Sequence, residues 1–254
     1  MKLLATADLH IGVENSIILK LFKDIIDQEK PDVVVIAGDV YDYRNVNPNY
    51  ELYKLNKDIQ FVYCLGNHEF AYRDIDMVHD LYRFYNKFSN VHCLDIEDYC
   101  DIDNIRFTGN VLWYDGSLSE RTDVNKHLTH IDKTWLDCTI CDFNPVIENR
   151  KCIDKIIKSL ENWQGKSVLI THTVPYWKLN LFNYDFPNGI YNIYSGVKDL
   201  FHDDNINVDV AICGHTHRSV KLSYEKDNKY IRCYNIGNEY YEKSGNIKYE
   251  IIEL

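Results

Sequence analysis

The sequence predicts an α/β fold, and three observations carry that reading. Over residues 2–88, β-branched apolar runs of strand length alternate with amphipathic helical stretches. From residue 220 on, short strand-like runs follow one another with turn residues between them. Apolar residues make up 45% of the 254-residue chain and charged residues 26%, a composition that can bury a sizeable core. No repeat, low-complexity tract or linker interrupts the chain. Residues 1–254 are therefore expected to form a single domain, with two sheets or one large mixed sheet covered by helices.

The elements follow in order. "KLLATAD" is a short strand ending in a carboxylate. "ENSIILKLFKDIIDQEK" places Ile17, Ile18, Leu21, Phe22, Ile25 and Ile26 at helical spacing, with Asn15 or Ser16 as cap and Pro31 as stop. "DVVVIAGD" is continuously apolar, as a strand covered on both faces is. "ELYKLNKD" is a short helix, "IQFVYCLGN" the next strand and "RDIDMVHDLYRFYNKF" the next helix. This alternation argues for βαβ units and a parallel sheet. In the middle, "IRFTGNVLWY" reads as a strand and "NPVIENRKCIDKIIKSLEN" as an amphipathic helix with Pro145 near its start. "GKSVLITHT" and "VDVAICGH" are strands, with a short helix expected between them near "SGVKDLFHD". "VKLSYE", "KYIRCYNIG" and "NIKYEIIEL" suggest an antiparallel finish, with turns at Asp227-Asn228 and Ser244-Gly245-Asn246.

The net charge is −11, so a nucleic-acid grip would have to be built against the average. A small anionic substrate remains compatible, because metal ions supply local positive charge. The opening "MKLLATADLH" lacks the pattern of a signal peptide, and no apolar run reaches the length of a membrane helix. The eight cysteines then read as reduced thiols in a cytoplasmic protein without a membrane partner. Cys138 and Cys141 form a lone CxxC, and no second pair completes a zinc site, so they are expected as unpaired thiols on a helix or turn.

Strand ends carry the chemistry. One strand ends at Asp8-Leu9-His10, the next at Gly38-Asp39, the third at Gly66-Asn67-His68-Glu69, a later one at Thr171-His172 and another at Gly214-His215-Thr216-His217. Each short motif alone is weak. Together they place donors beyond the carboxyl ends of five strands, where α/β folds gather ligands. Carboxylate, imidazole and one amide, without thiolate, suit Mn²⁺, Fe or Zn²⁺. The donors are too many for one tetrahedral ion, whereas two ions about 3.5–4 Å apart, bridged by one carboxylate, would use them all.

The series "DLH", "GDVYD", "GNHE", "THT" and "GHTH", spanning residues 8 to 217, resembles the calcineurin-like metallophosphoesterases. The resemblance implies a four-layer α/β/β/α sandwich of mixed sheets and two divalent metal ions, manganese first, with iron or zinc as alternatives. It implies that Asp8, His10 and His217 hold one ion and Asn67, His172 and His215 the other. Asp39 would bridge them, beside a shared hydroxide that attacks a phosphodiester or phosphomonoester. His68 would stand near the leaving oxygen as general acid or hydrogen-bond donor. Glu69 or Asp42 could orient an imidazole. In the protein-phosphatase branch an arginine follows G-D-x-x-D; here Tyr43 takes that position and Arg44 comes one residue late, which argues against a protein phosphatase. The expected partner is a small phosphoester, nucleotide-like substrates included. "TADLHIG" and "GDVYD" are also similar to the double-strand-break repair nucleases, which keeps a DNA exonuclease or endonuclease as the alternative. A non-catalytic scaffold on the same fold ranks last, since the implied ligand set is complete.

Two loops are candidates for choosing the substrate. Residues 173–195 are long and aromatic, and Tyr176, Trp177, Phe182, Tyr184 and Tyr191 could stack on a base or pack the loop onto the core. "VLWYDGSLSER" adds Trp113 and Tyr114. His79, His92, His127, His130 and His202 fall outside the pattern and read as structural.

Overall fold

Side-chain alternation along the strands decides the layering in the computed structural model, which describes residues 1–12, 16–41, 47–180, 187–227, 229–238 and 246–254. In strands β1 (Lys2–Thr6), β2 (Val33–Ala37) and β3 (Gln60–Cys64), the residues Leu3, Ala5, Val33, Val35, Val62 and Cys64 face one way. They meet Phe107, Val168, Ile170, Val210 and Ile212 of a second sheet. The alternate residues, Leu4, Val34, Ile36, Phe61 and Tyr63, face the other way, onto helices α1 (Ser16–Glu29), α2 (Pro48–Leu55) and, past the short α3 (Asn67–Phe70), α4 (Ile75–Tyr85).

The first sheet is completed by β4 (Val91–Cys93), and the second begins with β5 (Tyr99–Ile102) and β6 (Ile105–Asn110). After α5 (Val124–Thr129) and α6 (Pro145–Leu160) come β7 (Lys166–Thr171), β8 (Val210–Cys213), β9 (Ser219–Lys226), β10 (Lys229–Ile236) and β11 (Glu250–Glu253). The sheet orders are β11-β1-β2-β3-β4 and β5-β6-β7-β8-β10-β9. On the outer face of the second sheet, Leu169, Ala211, Cys213 and Cys233 pack against Ile156 and Leu160 of α6. Three apolar seams between four layers make the α/β/β/α sandwich. Both faces of β2 are covered, and all five of its residues are fully buried, which is why its sequence never alternates.

Local chemistry fixes several boundaries. Asn47 caps α2 through its side chain and Pro48 occupies the first turn, so this helix starts ahead of the expected "ELYKLNKD". Asn144 and Pro145 do the same for α6. The short helix expected near residues 195–203 is instead a 3₁₀ turn at Leu200–His202. The residues before it spend their backbone groups on the loop after β7, through bridges Val174–Gly196 and Tyr176–Asp199. The finish is antiparallel only in part. β9 runs antiparallel to β10 and β11 antiparallel to β1, but β10 lies parallel to β8. Of the two expected turns, Asn228, Ser244 and Gly245 lie outside the described residues, as does Asn15. Among the described residues, no helix is long and apolar enough to cross a membrane.

Candidate metal centre

The strands β1, β2 and β3 of the first sheet and β7 and β8 of the second all deliver their C-terminal ends to one place. Backbone pairing continues past the strands and keeps the loops in register: Asp8 N donates to Gly38 O at 3.1 Å, His10 N to Asp39 O at 2.9 Å and Gly214 N to His172 O at 3.0 Å. Two glycines let the loops close. A Cβ on Gly38, whose φ is +80°, would lie 2.3 Å from Nδ1 of His172. One on Gly66 would lie 2.0 Å from Oδ1 of Asp39. Either substitution would displace a candidate ligand.

Asp8, His10, Asp39, His215 and His217 all have positive φ, between 43° and 68°. Each such residue costs about 1–3 kcal/mol, a strain kept where surrounding structure over-determines the backbone, often at functional sites.

The side chains converge accordingly. His10 Nε2 lies 3.7 Å, His68 Nε2 3.8 Å and His172 Nε2 3.4 Å from Oδ2 of Asp39. Asp8 Oδ1 and Oδ2 accept from the backbone N–H of His215 at 3.0 and 3.1 Å. His172 Nε2 stands 3.0 Å from Asn67 Oδ1 and 3.1 Å from His215 Nδ1. Asp8, His10 and His217 form one set of donors close enough to share an ion, and Asp8, Asp39 and His172 another; His10, Asp39 and His68 form a third. Asp8, His10 and Asp39 each belong to two sets.

Further hydrogen bonds orient these donors. Ala37 O lies 3.0 Å from His172 Nδ1, so that nitrogen donates and Nε2 is left to face the centre. Tyr194 O lies 3.0 Å from His215 Nε2 and leaves Nδ1 facing inward in the same way. Asn67 Nδ2 donates to Asp137 Oδ1 at 2.8 Å, which turns Oδ1 of Asn67 inward. Tyr114 Oη and Trp135 Nε1 hold the second oxygen of Asp137, at 2.9 and 2.8 Å.

Burial raises the Asp8 carboxyl to about 6, with Asp39 adding to the shift and His172 opposing it. Burial also pushes on Asp39, but His172 and His68 outweigh it and hold that carboxyl well below its usual range. His172 rises to about 10, because Asp39 overcomes its burial. Burial, with His172 and His10 respectively as neighbours, lowers His215 to about 3 and His217 to about 4. A dense donor set with two carboxylates and two imidazoles held neutral is what a divalent cation needs, and no thiolate competes within it. The residues therefore fit the metals that their pattern implies.

Two cavities open here. One of about 210 Å³ is lined by Asp39, Asn67, His68, Trp135, His215 and His217, together with Thr134 and Leu136. A second of about 180 Å³ shares Trp135 and His215 and continues to Asn180, Tyr191, Ser195, Thr216 and Arg218.

This fold and this donor set define a class, the metal-dependent phosphoesterases. The profile of the calcineurin-like phosphoesterases matches residues 1–219, and the chain belongs to that family; it is a hydrolase of phosphoric ester bonds. Membership implies a dinuclear divalent centre, and the Asp/His sets described above offer places for one. Among solved structures, the chain is similar to the phosphopantetheinyl hydrolase PptH from Mycobacterium tuberculosis, with a TM-score of 0.65 and 15% identity over 93% of this chain and 89% of that chain. It is also similar to the Thermus thermophilus sulfate thiohydrolase SoxB, with a TM-score of 0.46 and 9% identity over 92% of this chain and 51% of that chain. No curated protein matches the chain in sequence.

The other residues singled out by the sequence are placed as follows. Glu69 is buried, and its two oxygens accept from the backbone N–H groups of Tyr41 and Gly66 at 2.9 and 2.8 Å, tying the loop after β2 to that after β3. Burial and then Asp39 push its carboxyl up to about 8. Tyr176 packs edge-on against Tyr224, with ring centroids 4.8 Å apart, and Trp177 lies beside it on the outer core. Neither lines the two cavities; Tyr191 does. Trp113 and Tyr114 are fully buried. Asp42, Arg44, Phe182 and Tyr184 lie outside the described residues. Cys138, in the 3₁₀ turn Leu136–Thr139, and Cys141, just past it, are exposed free thiols. Asp137 and Trp135 went unmarked in the sequence. Asp137 immediately precedes the CxxC, where attention falls on the sulfurs, and no local pattern reports a contact with Asn67 seventy residues away.

Proposed function

We propose that the chain is a dimetal phosphoesterase that hydrolyses a phosphodiester or phosphomonoester of small size. In this reading Asp8, His10 and His217 hold one divalent cation, Asn67, His172 and His215 hold the other, and Asp39 bridges them. Manganese is the proposed metal, with iron or zinc compatible with the same donors. The supporting observation is the meeting of seven donors from five strand ends and both sheets within hydrogen-bonding and ion-pairing distance of one another. When bound, the metals would neutralise the phosphoryl oxygens and lower the pKa of water.

The chain's own residues do the rest. Ala37 O and Tyr194 O keep the inward nitrogens of His172 and His215 free of protons when a cation is present. Asp137 aims the Asn67 oxygen. His68 lines the first cavity beside Asp39, where it can hand a proton to the departing oxygen. The backbone N–H of His68 also donates to Asp39 Oδ1 at 3.0 Å, so ligand and proposed acid are positioned together.

Residues 3 to 252 share the seam between the sheets, which supports a single domain over 1–254. Eight free cysteines support a cytoplasmic protein. The net charge of −11 favours a small substrate over a polynucleotide. Asp39→Asn and His215→Ala should each lower hydrolysis of a nitrophenyl phosphodiester with Mn²⁺ present by about 10³-fold or more. Undiminished turnover in both would overturn the reading.

A further inference from the structure

We propose that the second cavity is a subsite for a planar aromatic group that stays on phosphorus, which makes the substrate a phosphodiester of nucleotide type. The proposal rests on the phosphoesterase reading above and deepens it. Trp135 and His215 wall both cavities, so a group tethered to a phosphorus at the donors enters the second one directly.

The wall is already rigid. Trp135 Nε1 donates to Asp137 at 2.8 Å, and the indole stacks on Tyr194 with centroids 5.1 Å apart and planes at 23°. Tyr191 stands 5.6 Å away at 44°, and the edge of His215 closes the corner at 5.8 Å. An aromatic platform held in place loses little side-chain freedom when a ring stacks on it. Bases of any identity can use such a surface. Asn180, Ser195 and Thr216 add amide and hydroxyl groups to the lining. Arg218 adds a guanidinium in a chain whose net charge is negative.

His68 lines the first cavity and is not among the residues lining the second. If His68 serves the departing oxygen, the group in the second cavity is not the one that leaves. A phosphomonoester has a single substituent and could not fill both places; a diester can. Hydrolysis would then join the water oxygen to phosphorus and break the bond to the other ester oxygen. The released alcohol takes one proton of the water, and a nucleoside monophosphate remains.

The test uses two esters with the same leaving group, the nitrophenyl ester of thymidine monophosphate and methyl nitrophenyl phosphate, assayed with Mn²⁺. The wild type should prefer the nucleoside ester by about tenfold or more in kcat/KM. Tyr191→Ala and Trp135→Leu should each move that ratio towards one, and Tyr191, half exposed, is the substitution that keeps the test sound if Trp135→Leu fails to fold. Calorimetry should show thymidine monophosphate binding about tenfold tighter than methyl phosphate in the wild type, with the gap closed in the variants. Equal kcat/KM for both esters, or release of free thymidine, overturns the subsite. If neither ester is hydrolysed but nitrophenyl phosphate is, the diester assignment falls and the phosphoesterase reading stands; equal binding of the two phosphates would overturn the subsite independently.

Discussion

The half of the centre around His172 and the half around His10 are held in different ways. On the His172 side, each donor has its other polar atom tied to the protein: His172 to Ala37 O, His215 to Tyr194 O and Asn67 to Asp137. On the other side, Asp8 is fixed by the backbone N–H of His215, and the imidazoles meet as rings. His10 and His68 have centroids 4.5 Å apart, and His10 and His217 5.4 Å apart. Hydrogen bonds set which nitrogen of His172 and of His215 would face a metal. The first half is thus oriented before any cation arrives. His172 is also fully buried, whereas His217 borders the open cavity.

The largest effect should come from the residue proposed to bridge the two halves. Asp39→Asn should lower kcat/KM for a nitrophenyl phosphodiester by about 10³-fold, since metal-based charge stabilisation is worth several kcal/mol and each decade of rate is 1.36 kcal/mol. Removing the metals with a chelator should come next. At a cation concentration of 100 Kd, loading adds about 2.7 kcal/mol of stability, so the chelated protein should melt at a clearly lower temperature in a calorimetric scan. An unchanged Tm would mean that neither half needs its metal to hold shape.

Asp137→Ala separates the halves. It should weaken one of the two metal affinities by about 10–100-fold, as loss of an orienting partner does, and leave the other close to its wild-type value. Competition with a fluorescent chelator reads this directly, and equal weakening at both positions would erase the contrast drawn between them. His215→Ala and His217→Ala should each reduce the metal content from two to one by elemental analysis. The smallest effect is expected at Cys141→Ser: an exposed thiol outside the donor sets should shift stability by less than about 0.5 kcal/mol and leave the metal content at two.

Much of this centre could be read in the sequence because strand ends are local features. "VVVIA" announces a doubly covered strand by composition, and Gly38-Asp39 follows it directly. The same logic placed Asp8, Asn67, His172 and His215 at the ends of their strands. The orienting partners could not be read this way. Tyr194 acts on His215 through its backbone carbonyl, which no side-chain motif records. The aromatic loop shows a second limit: Tyr176, Trp177 and Tyr191 look alike in sequence. Only the bridges Val174–Gly196 and Tyr176–Asp199 turn the first two towards the outer core, while Tyr191 is left at the cavity.

By itself, then, the sequence determined the strand–helix alternation, the residue types at each strand end and the chemistry those types favour, because all three depend on neighbours along the chain. Tertiary structure decided which nitrogen of His172 and of His215 faces inward, that Asp137 stands behind Asn67 and that Trp135 walls two cavities. It also decided that β11 crosses back to pair with β1. These depend on contacts between segments far apart in the chain, and such contacts exist only once the two sheets have packed against each other.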